Sequence, residues 1–287
     1  MDRDQKRTAF RVGQAGHGVR LDKAIRIQFP DWGRRVVSQI LQQRQVRVNG
    51  KIVWLGSWKV NMGDQIEISQ PPVGKPAAQT RFDPGWLVED TGDVIVVSKP
   101  AGLLSQATRA GGEDNLLSLA QTVFGDEIRL FHRLDRDTSG LCLLTRPGPV
   151  NAYLDAVFKQ RQVVKEYRAL VAARGQLDES GQIRLYMAQH EQRSDMMQVV
   201  AKGGQFSLTD YQLGEESEIG LPVWLQPHTG RSHQLRVHLA YMGAPIIGDR
   251  LYGGRKASRL MLHSERIALP EGGEFPAREW TVRINFD

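Results

Sequence analysis

The 287-residue sequence contains a single cysteine, Cys142. One thiol excludes an internal disulfide framework and any zinc site built on several cysteines, and it points to a reducing compartment, the cytoplasm. Long apolar runs are also missing. None approaches the roughly 20 residues of a membrane-spanning helix, and Met1–Arg11 is charged where a signal peptide would be apolar. No membrane partner is therefore expected. There is no glycine-rich nucleotide loop, no internal repeat and no low-complexity tract.

What remains is ordinary globular material with an uneven charge. Hydrophobic residues make up 40% of the chain and charged ones 24%, which excludes wholesale disorder. The net charge of +6 is concentrated at one end. Residues 1–70 carry 13 Lys and Arg against 6 Asp and Glu, or +7, whereas residues 71–287 carry 25 against 26, or −1. A basic appendage on a near-neutral body suits a polyanionic partner, with a merely solvated face as the bland alternative.

The charge boundary coincides with Gln70-Pro71-Pro72-Val73-Gly74-Lys75-Pro76, where three prolines and a glycine cannot continue a sheet or a helix. The spacing therefore predicts a small module over 1–70, a linker over 71–81 and a larger domain over 82–287. In the module, Leu21, Ala24 and Ile25 keep helical spacing up to Pro30. Asp31 is placed to cap a second helix with Val36, Val37, Ile40 and Leu41 on one face. Val46-Arg47-Val48-Asn49-Gly50-Lys51-Ile52-Val53 reads as two short strands around an Asn-Gly turn, and Val60–Ile68 as a further alternating strand.

These residues, with Arg20-Leu21-Asp22-Lys23 and the Arg34/Arg35 pair, resemble the small RNA-binding module named after ribosomal small-subunit protein four. The resemblance implies an RNA footprint on Arg20, Lys23, Arg34, Arg35, Arg44, Arg47 and Lys51. The alternative is a basic helix pair that only solubilises the chain.

In the larger domain, Trp86–Asp90 and Val94–Ser98 read as strands joined by a tight turn. Asp114 or Asn115 can cap a helix through Leu116, Leu119, Ala120 and Val123 that Gly125 ends. Val163–Ala172 and Leu221–Gln226 read as strands, and Ser232 is placed to open a helix with Leu235, Leu239 and Met242 on one side. Strands and helices in irregular order predict an α+β fold with a mixed, mostly antiparallel sheet and flanking helices.

Three polar clusters stand out against this apolar pattern. His132-Arg133-Leu134-Asp135-Arg136-Asp137-Thr138-Ser139-Gly140 runs directly into the apolar Leu141–Leu144. It is either a loop capped by salt bridges or a carboxylate presented at a sheet edge. On the strand Lys165-Glu166-Tyr167-Arg168-Ala169, the period of two puts Lys165 and Tyr167 on one face, towards a cleft or a core. The third cluster, Pro227-His228-Thr229-Gly230-Arg231-Ser232-His233-Gln234-Leu235-Arg236-Val237-His238, holds three histidines, but His233 and His238 are five apart and do not share a helix face, and no matching carboxylate or cysteine spacing accompanies them, so no metal site is expected.

Together these clusters, with Lys99-Pro100-Ala101-Gly102-Leu103 and Gly248-Asp249-Arg250-Leu251-Tyr252-Gly253, resemble the RluA-type RNA pseudouridine synthases. The likeness covers most of residues 86–263 in family order. It departs at Leu104-Ser105-Gln106-Ala107, where the family often has a His-Pro element, and over Arg174–Met197, which matches no motif.

The resemblance implies an isomerase that converts uridine in structured RNA to its C-glycoside, most often in large-subunit ribosomal RNA, without cofactor or metal. It assigns Asp135 as the essential carboxylate, by attack on the sugar, by charge stabilisation or by a glycal route. Arg231 is expected to pair with Asp135, and Tyr167 to stack on the uracil and assist removal of the C5 proton. Arg133 is expected to hold the flipped nucleotide, unless it is a structural partner of Asp137. His132 and Asp137 are expected to be structural, and Cys142 to pack. RNA is the expected partner and a monomer the expected state. Transfer RNA as the target, a non-catalytic assembly factor and a small-molecule glycosidase are the competing readings.

Overall fold

The computed structural model describes residues 7–30, 32, 34–69, 81–107 and 114–286. Asp31, the expected helix cap, and all but Arg81 of the expected linker lie outside the described residues, as do the side chains of Arg34 and Arg35. The chain divides into two compact units, residues 1–80 with 107–114, and residues 81–106 with 115–287.

The first unit is a four-stranded antiparallel sheet in the order β1-β4-β2-β3, with two helices. Its elements are β1 (Arg7–Arg11), α1 (Leu21–Gln28), α2 (Arg34–Gln42), β2 (Val46–Val48), β3 (Lys51–Ile52) and β4 (Gln65–Ser69). The helices bury Leu21, Ala24 and Ile25, and Val37, Ile40 and Leu41, against Ile66 and Ile68 of β4. That is the amphipathic pattern the spacing predicts. Asn49 (φ 48°) and Gly50 (φ 78°) both take positive φ, the requirement of a two-residue I′ hairpin turn between β2 and β3. The last strand begins five residues later than expected. Val60 instead exchanges hydrogen bonds with Gly18 and Val19, and the chain turns at Gly63 before β4. Strand β1 escapes the sequence pattern, because its two flanking arginines mask a short edge strand whose partner is 58 residues distant.

The second unit carries an 11-stranded sheet. Its strands are β5 (Leu87–Asp90), β6 (Val94–Lys99), β7 (Arg129–Leu130), β8 (Ser139–Thr145), β9 (Val164–Val171), β10 (Ser180–Gln189), β11 (Met197–Val199), β12 (Gln205–Leu213), β13 (Leu221–Pro227), β14 (Leu262–Leu269) and β15 (Arg278–Thr281). The order is β11-β10-β12-β13-β9-β14-β8-β6-β5, with β15 beside β14 and β7 beside β8. Every pairing given is antiparallel except β8 with β14. Three helices flank the sheet: α3 (Leu116–Phe124), α4 (Pro149–Lys159) and α5 (Gln234–Tyr241). The mixed α+β architecture is the one the sequence predicts.

Strands β6 and β8 explain why Val94–Val97 and Leu141–Leu144 are apolar without alternation. Val94, Val96, Leu141 and Leu143 pack on one face with Val150, Leu154 and Val157 of α4. Ile95, Val97, Cys142 and Leu144 pack on the other with Leu116, Leu119 and Ala120 of α3. A strand covered on both faces needs apolar side chains at every position. Cys142 is part of that packing, and burial pushes its thiol up to about 12, so it stays protonated and inert.

The expected caps of α3 are present. Asn115 accepts from the Ser118 amide while the Ser118 hydroxyl accepts from the Asn115 amide, and the helix ends at Gly125. The unassigned stretch after Arg174 forms β10, which buries Ile183 and Met187 and leaves polar residues outside. It lies second from the edge of the sheet, between β11 and β12, and its weak apolar signal follows from its half-solvated position.

Candidate active site

The site is built where the loop before β8 meets the loop before α5. The first loop is fixed by side chains buried on either side of Asp135. The Ser105 hydroxyl donates to the Leu134 carbonyl at 2.8 Å and accepts from the Leu134 amide at 3.0 Å. The Lys99 ammonium, fully buried, donates to the carbonyls of Pro100, Leu103 and Arg136 at 2.8–2.9 Å. Burial pulls Lys99 down to about 8, with Asp137 and Asp135 among the charges opposing that fall. The Gly102 amide also donates to the Arg136 carbonyl. The backbone flanking Asp135 is therefore held at 134 and at 136.

Downstream, Thr138-Ser139-Gly140 seats the turn on β14. Ser139 Oγ lies 2.7 Å from His263 Nδ1, and Arg259 donates to the same hydroxyl. Gly140 has φ 111°, and a Cβ there would sit 2.3 Å from the Ser264 carbonyl oxygen. Only glycine permits this close parallel approach.

The loop before α5 is stapled to β12 by Gln234. Its Oε1 accepts from the Thr229 hydroxyl and the Arg231 amide, and its Nε2 donates to Leu208 O and Thr209 Oγ1. His238 Nε2 lies 2.8 Å from Ser207 Oγ, and burial holds this imidazole down to about 4, hence neutral. The helix begins at Gln234, two residues later than expected, after His233 in the left-handed region at φ 55°. A non-glycine residue held there is a strained position, of the kind that clusters at functional sites.

These loops enclose a cavity of about 310 Å³ lined by Arg133, Asp135, Lys165, Tyr167, Arg231 and Arg236, among others. The structure brings Asp135, Arg133, Tyr167 and Arg231 together as the sequence reading groups them. It corrects one pairing. The cation beside Asp135 is Arg236, whose Nη1 is 3.9 Å from Asp135 Oδ2. Arg231 donates its Nε to the Phe206 carbonyl at 3.2 Å and, among the described residues, makes no ion pair. The reason is positional. Arg231 precedes the helix, whereas Arg236 lies inside its first turns with a side chain only 5% exposed.

Arg236 is itself held rigidly. Its Nε and Nη2 donate to Asp249 at 2.7 and 2.8 Å, and its guanidinium lies 5.1 Å from the Tyr252 ring centroid. Asp249 also accepts from the Leu251 and Tyr252 amides, which gives the Gly248–Gly253 motif a defined task.

His233 is a second neighbour of Asp135 that the sequence reading missed, with Nε2 3.9 Å from Oδ2. The Met197 amide donates to the Tyr252 hydroxyl, which also lies 2.8 Å from His233 Nδ1. Burial lowers the His233 pKa, which favours the neutral ring, and its Nε2 faces Asp135. At 3.9 Å neither partner is within hydrogen-bonding reach of the carboxylate. Both stabilise its negative charge and leave its oxygens open to the cavity.

Tyr167 of β9 is partly buried at the cavity wall, and desolvation drives its phenol well above the ordinary tyrosine value. Lys165, on the same strand face, lies 5.4 Å over the Phe158 ring, and burial lowers its pKa. His132 Nε2 accepts from the Leu143 amide, and burial pulls the ring down to about 3. It is a neutral structural group. Arg133 is exposed at the rim. The alternative of an Arg133–Asp137 pair does not form, since Asp137 pairs with Arg136 at 3.0 Å. Among the described residues, no three metal-ligating side chains cluster.

In the first unit, Lys23, Arg44, Arg47 and Lys51 are exposed. Arg47 donates to the Gly50 carbonyl, and Arg20 is engaged with Asp22 through two contacts of 2.9–3.0 Å.

Residues 93–241 match the RNA pseudouridylate synthase family, and residues 19–66 match the S4 domain. The chain is 32% identical over 248 residues to ribosomal large subunit pseudouridine synthase D of Haemophilus ducreyi, covering 83% of this chain and 74% of that protein. It is 30% identical over 244 residues to the protein of the same name from Escherichia coli K12, with the same coverage. In three dimensions it is similar to human RNA pseudouridylate synthase domain containing 1, with a TM-score of 0.61 and 26% identity over 71% of this chain and 86% of that one. The chain therefore belongs to the RNA pseudouridylate synthase family and carries an N-terminal S4 domain.

Proposed function

We propose that this protein isomerises uridine to pseudouridine in large-subunit ribosomal RNA, with Asp135 as the essential carboxylate and no cofactor. The observation that carries the assignment is the state of Asp135. It is fixed by its backbone on both sides, faced by Arg236 and His233 at 3.9 Å, and its carboxylate is without a direct hydrogen bond among the described residues, inside a cavity of about 310 Å³. Such a carboxylate suits a glycosidic centre, where positive charge develops at C1′ as the N1–C1′ bond breaks. Either attack on C1′ or abstraction of a sugar proton to give a glycal uses the same oxygens. The detached uracil then turns and C5 bonds to C1′ as the Asp135–C1′ bond breaks or, on the glycal route, as the abstracted proton returns to the sugar; C5 then loses its proton while N1 regains one. No atom is gained or lost overall, so no second substrate enters the balance.

Tyr167 serves as the platform for the uracil ring. Burial raises its pKa, so the phenol rests protonated, and assistance in removing the C5 proton is a further role for the same side chain. Arg133, exposed at the rim, is placed to occupy or brace the space left by the extruded nucleotide, and Arg231 to contact the RNA beside it. The S4 domain grips RNA outside the target site through Lys23, Arg44, Arg47 and Lys51, with Arg20, Arg34 and Arg35 as further phosphate contacts. The naming of the bacterial relatives favours large-subunit ribosomal RNA.

The test is tritium release from large-subunit ribosomal RNA carrying C5-labelled uridine. Wild type should release label, and Asp135→Asn should lower the rate on the order of a thousandfold or more while still binding RNA. Undiminished release by Asp135→Asn would overturn the role of Asp135. A wild type that binds ribosomal RNA and releases nothing would point to an assembly factor.

A further inference from the structure

We propose that the loop around Trp54 and Trp58 forms a stacking cleft for unpaired nucleotides of the RNA, separate from the cavity at Asp135. This rests on the reading of the protein as an RNA-modifying enzyme and adds to it a second point of contact.

The cleft, of about 460 Å³, lies wholly within the S4 domain and is lined by Lys51, Ile52, Trp54, Leu55, Trp58 and Lys59, among others. Trp54 is 53% exposed, Leu55 53%, Trp58 50% and Ile52 40%. Tryptophan is ordinarily well buried, so two half-exposed indoles beside exposed aliphatics leave a patch that the domain core does not use.

The loop is held in place. The Leu21 amide donates to the Trp58 carbonyl at 2.7 Å, the Asp22 amide to the Gly56 carbonyl, and the Trp58 amide to the Leu55 carbonyl. The first amides of α1 are thus consumed in fixing the loop, which presents its indoles at little further entropic cost.

The charges decide between occupants. Lys51 and Lys59 line the cleft and, among the described residues, make no ion pair, while the Arg44 guanidinium lies 5.3 Å from the Trp54 ring centroid. Asp64 is the one carboxylate among the lining residues. Its two oxygens are already taken by Asn49 Nδ2 and the Asn61 amide, both at 2.8 Å. An apolar protein segment would cover the indoles and strand the cations. A nucleobase stacked on an indole, with its phosphates towards Lys51 and Lys59, satisfies both. Stacking of this kind accepts any base, so the cleft adds affinity for unpaired RNA without choosing the target uridine.

The test compares two RNA probes with the full-length protein: a hairpin carrying a single-stranded tail, and a blunt duplex of the same length. Trp54→Ala/Trp58→Ala should weaken binding of the tailed hairpin about tenfold or more, given the usual cost of losing a base–aromatic stack. Duplex affinity and salt dependence should stay unchanged, because indoles release no counterions. Trp54→Phe/Trp58→Phe should restore most of the loss, which separates stacking from folding damage. Tritium release at saturating RNA should match wild type. Wild-type affinity of the alanine variant for the tailed hairpin would overturn the cleft, as would equal losses on both probes. Unchanged RNA binding with loss of a protein complex would assign the face to a protein partner. If wild type binds neither probe, the RNA reading itself fails.

Discussion

The two units use their positive charge in opposite ways. In the S4 domain the exposed cations Lys23, Arg44, Arg47 and Lys51 stand at the surface, and their contacts among the described residues are slight: Arg47 with a carbonyl, Arg44 with an indole ring. In the catalytic unit the cations that matter are buried and committed. Lys99 is locked onto three carbonyls, and Arg236 is forked onto Asp249 with one nitrogen left facing Asp135. Exposed charge acts at long range, is screened by salt and confers affinity. Buried, hydrogen-bonded charge is short-ranged and directional and confers geometry. Net charge reveals the first kind and is silent about the second, which is why a near-neutral catalytic unit can still be an enzyme acting on a polyanion.

The largest expected effect separates Arg236 from Arg231. Arg236→Ala should reduce tritium release at saturating RNA about a hundredfold or more, the scale of a misplaced catalytic group. It should also cost about 3–5 kcal/mol of stability by leaving Asp249 buried and unpaired. Arg236→Gln/Asp249→Asn, which removes both charges, should regain stability without regaining activity. Arg231→Ala should lose about tenfold or less, mostly through KM, as expected for a single side chain touching RNA. If Arg231→Ala is the more damaging of the two at saturating RNA, the assignment of the partner of Asp135 is wrong.

A smaller effect concerns acid. Burial holds His132 down to about 3 and His238 and His263 to about 4, against 6.5 for a free imidazole, and all three belong to the catalytic unit. A depressed pKa means that the unfolded chain binds more protons once the pH falls below about 6.5. The stability these groups retain above that value is then lost progressively towards the folded pKa. Thermal melts between pH 6.5 and 5, above the range where most carboxylates titrate, should show a falling Tm. A flat Tm across that window would contradict the buried, neutral assignment.

Much of this was legible in the sequence. The Asn49-Gly50 turn, the Asn115 cap, the Gly125 stop and the continuous apolar runs of β6 and β8 are local signals with local causes. The carboxylate was legible as well, because Asp135 lies in a dense polar segment at the mouth of an apolar strand. Its partners were not. Helix α5 is buried on all sides over Gln234–Leu239, so no apolar stripe marks which residue turns inward, and a glycine-arginine pair at the turn drew attention to Arg231. Asp249 and His233 act through hydrogen bonds that join segments far apart in the chain. Ser105 stands at one of the two places where the sequence departs from the family pattern, and only the fold shows that it holds the Leu134 backbone.

The division of labour is tested most directly by neutralising exposed cations of the S4 domain in the full-length protein. Lys23→Ala/Arg47→Ala/Lys51→Ala should be compared with wild type for the salt dependence of RNA binding and for the single-turnover rate at saturating RNA. The slope of log Kd against log salt should fall by up to about 3, roughly one for each phosphate left without its cation, with the rate unchanged. An unchanged slope, or a rate that falls along with it, would show that affinity and chemistry are not divided between the two units.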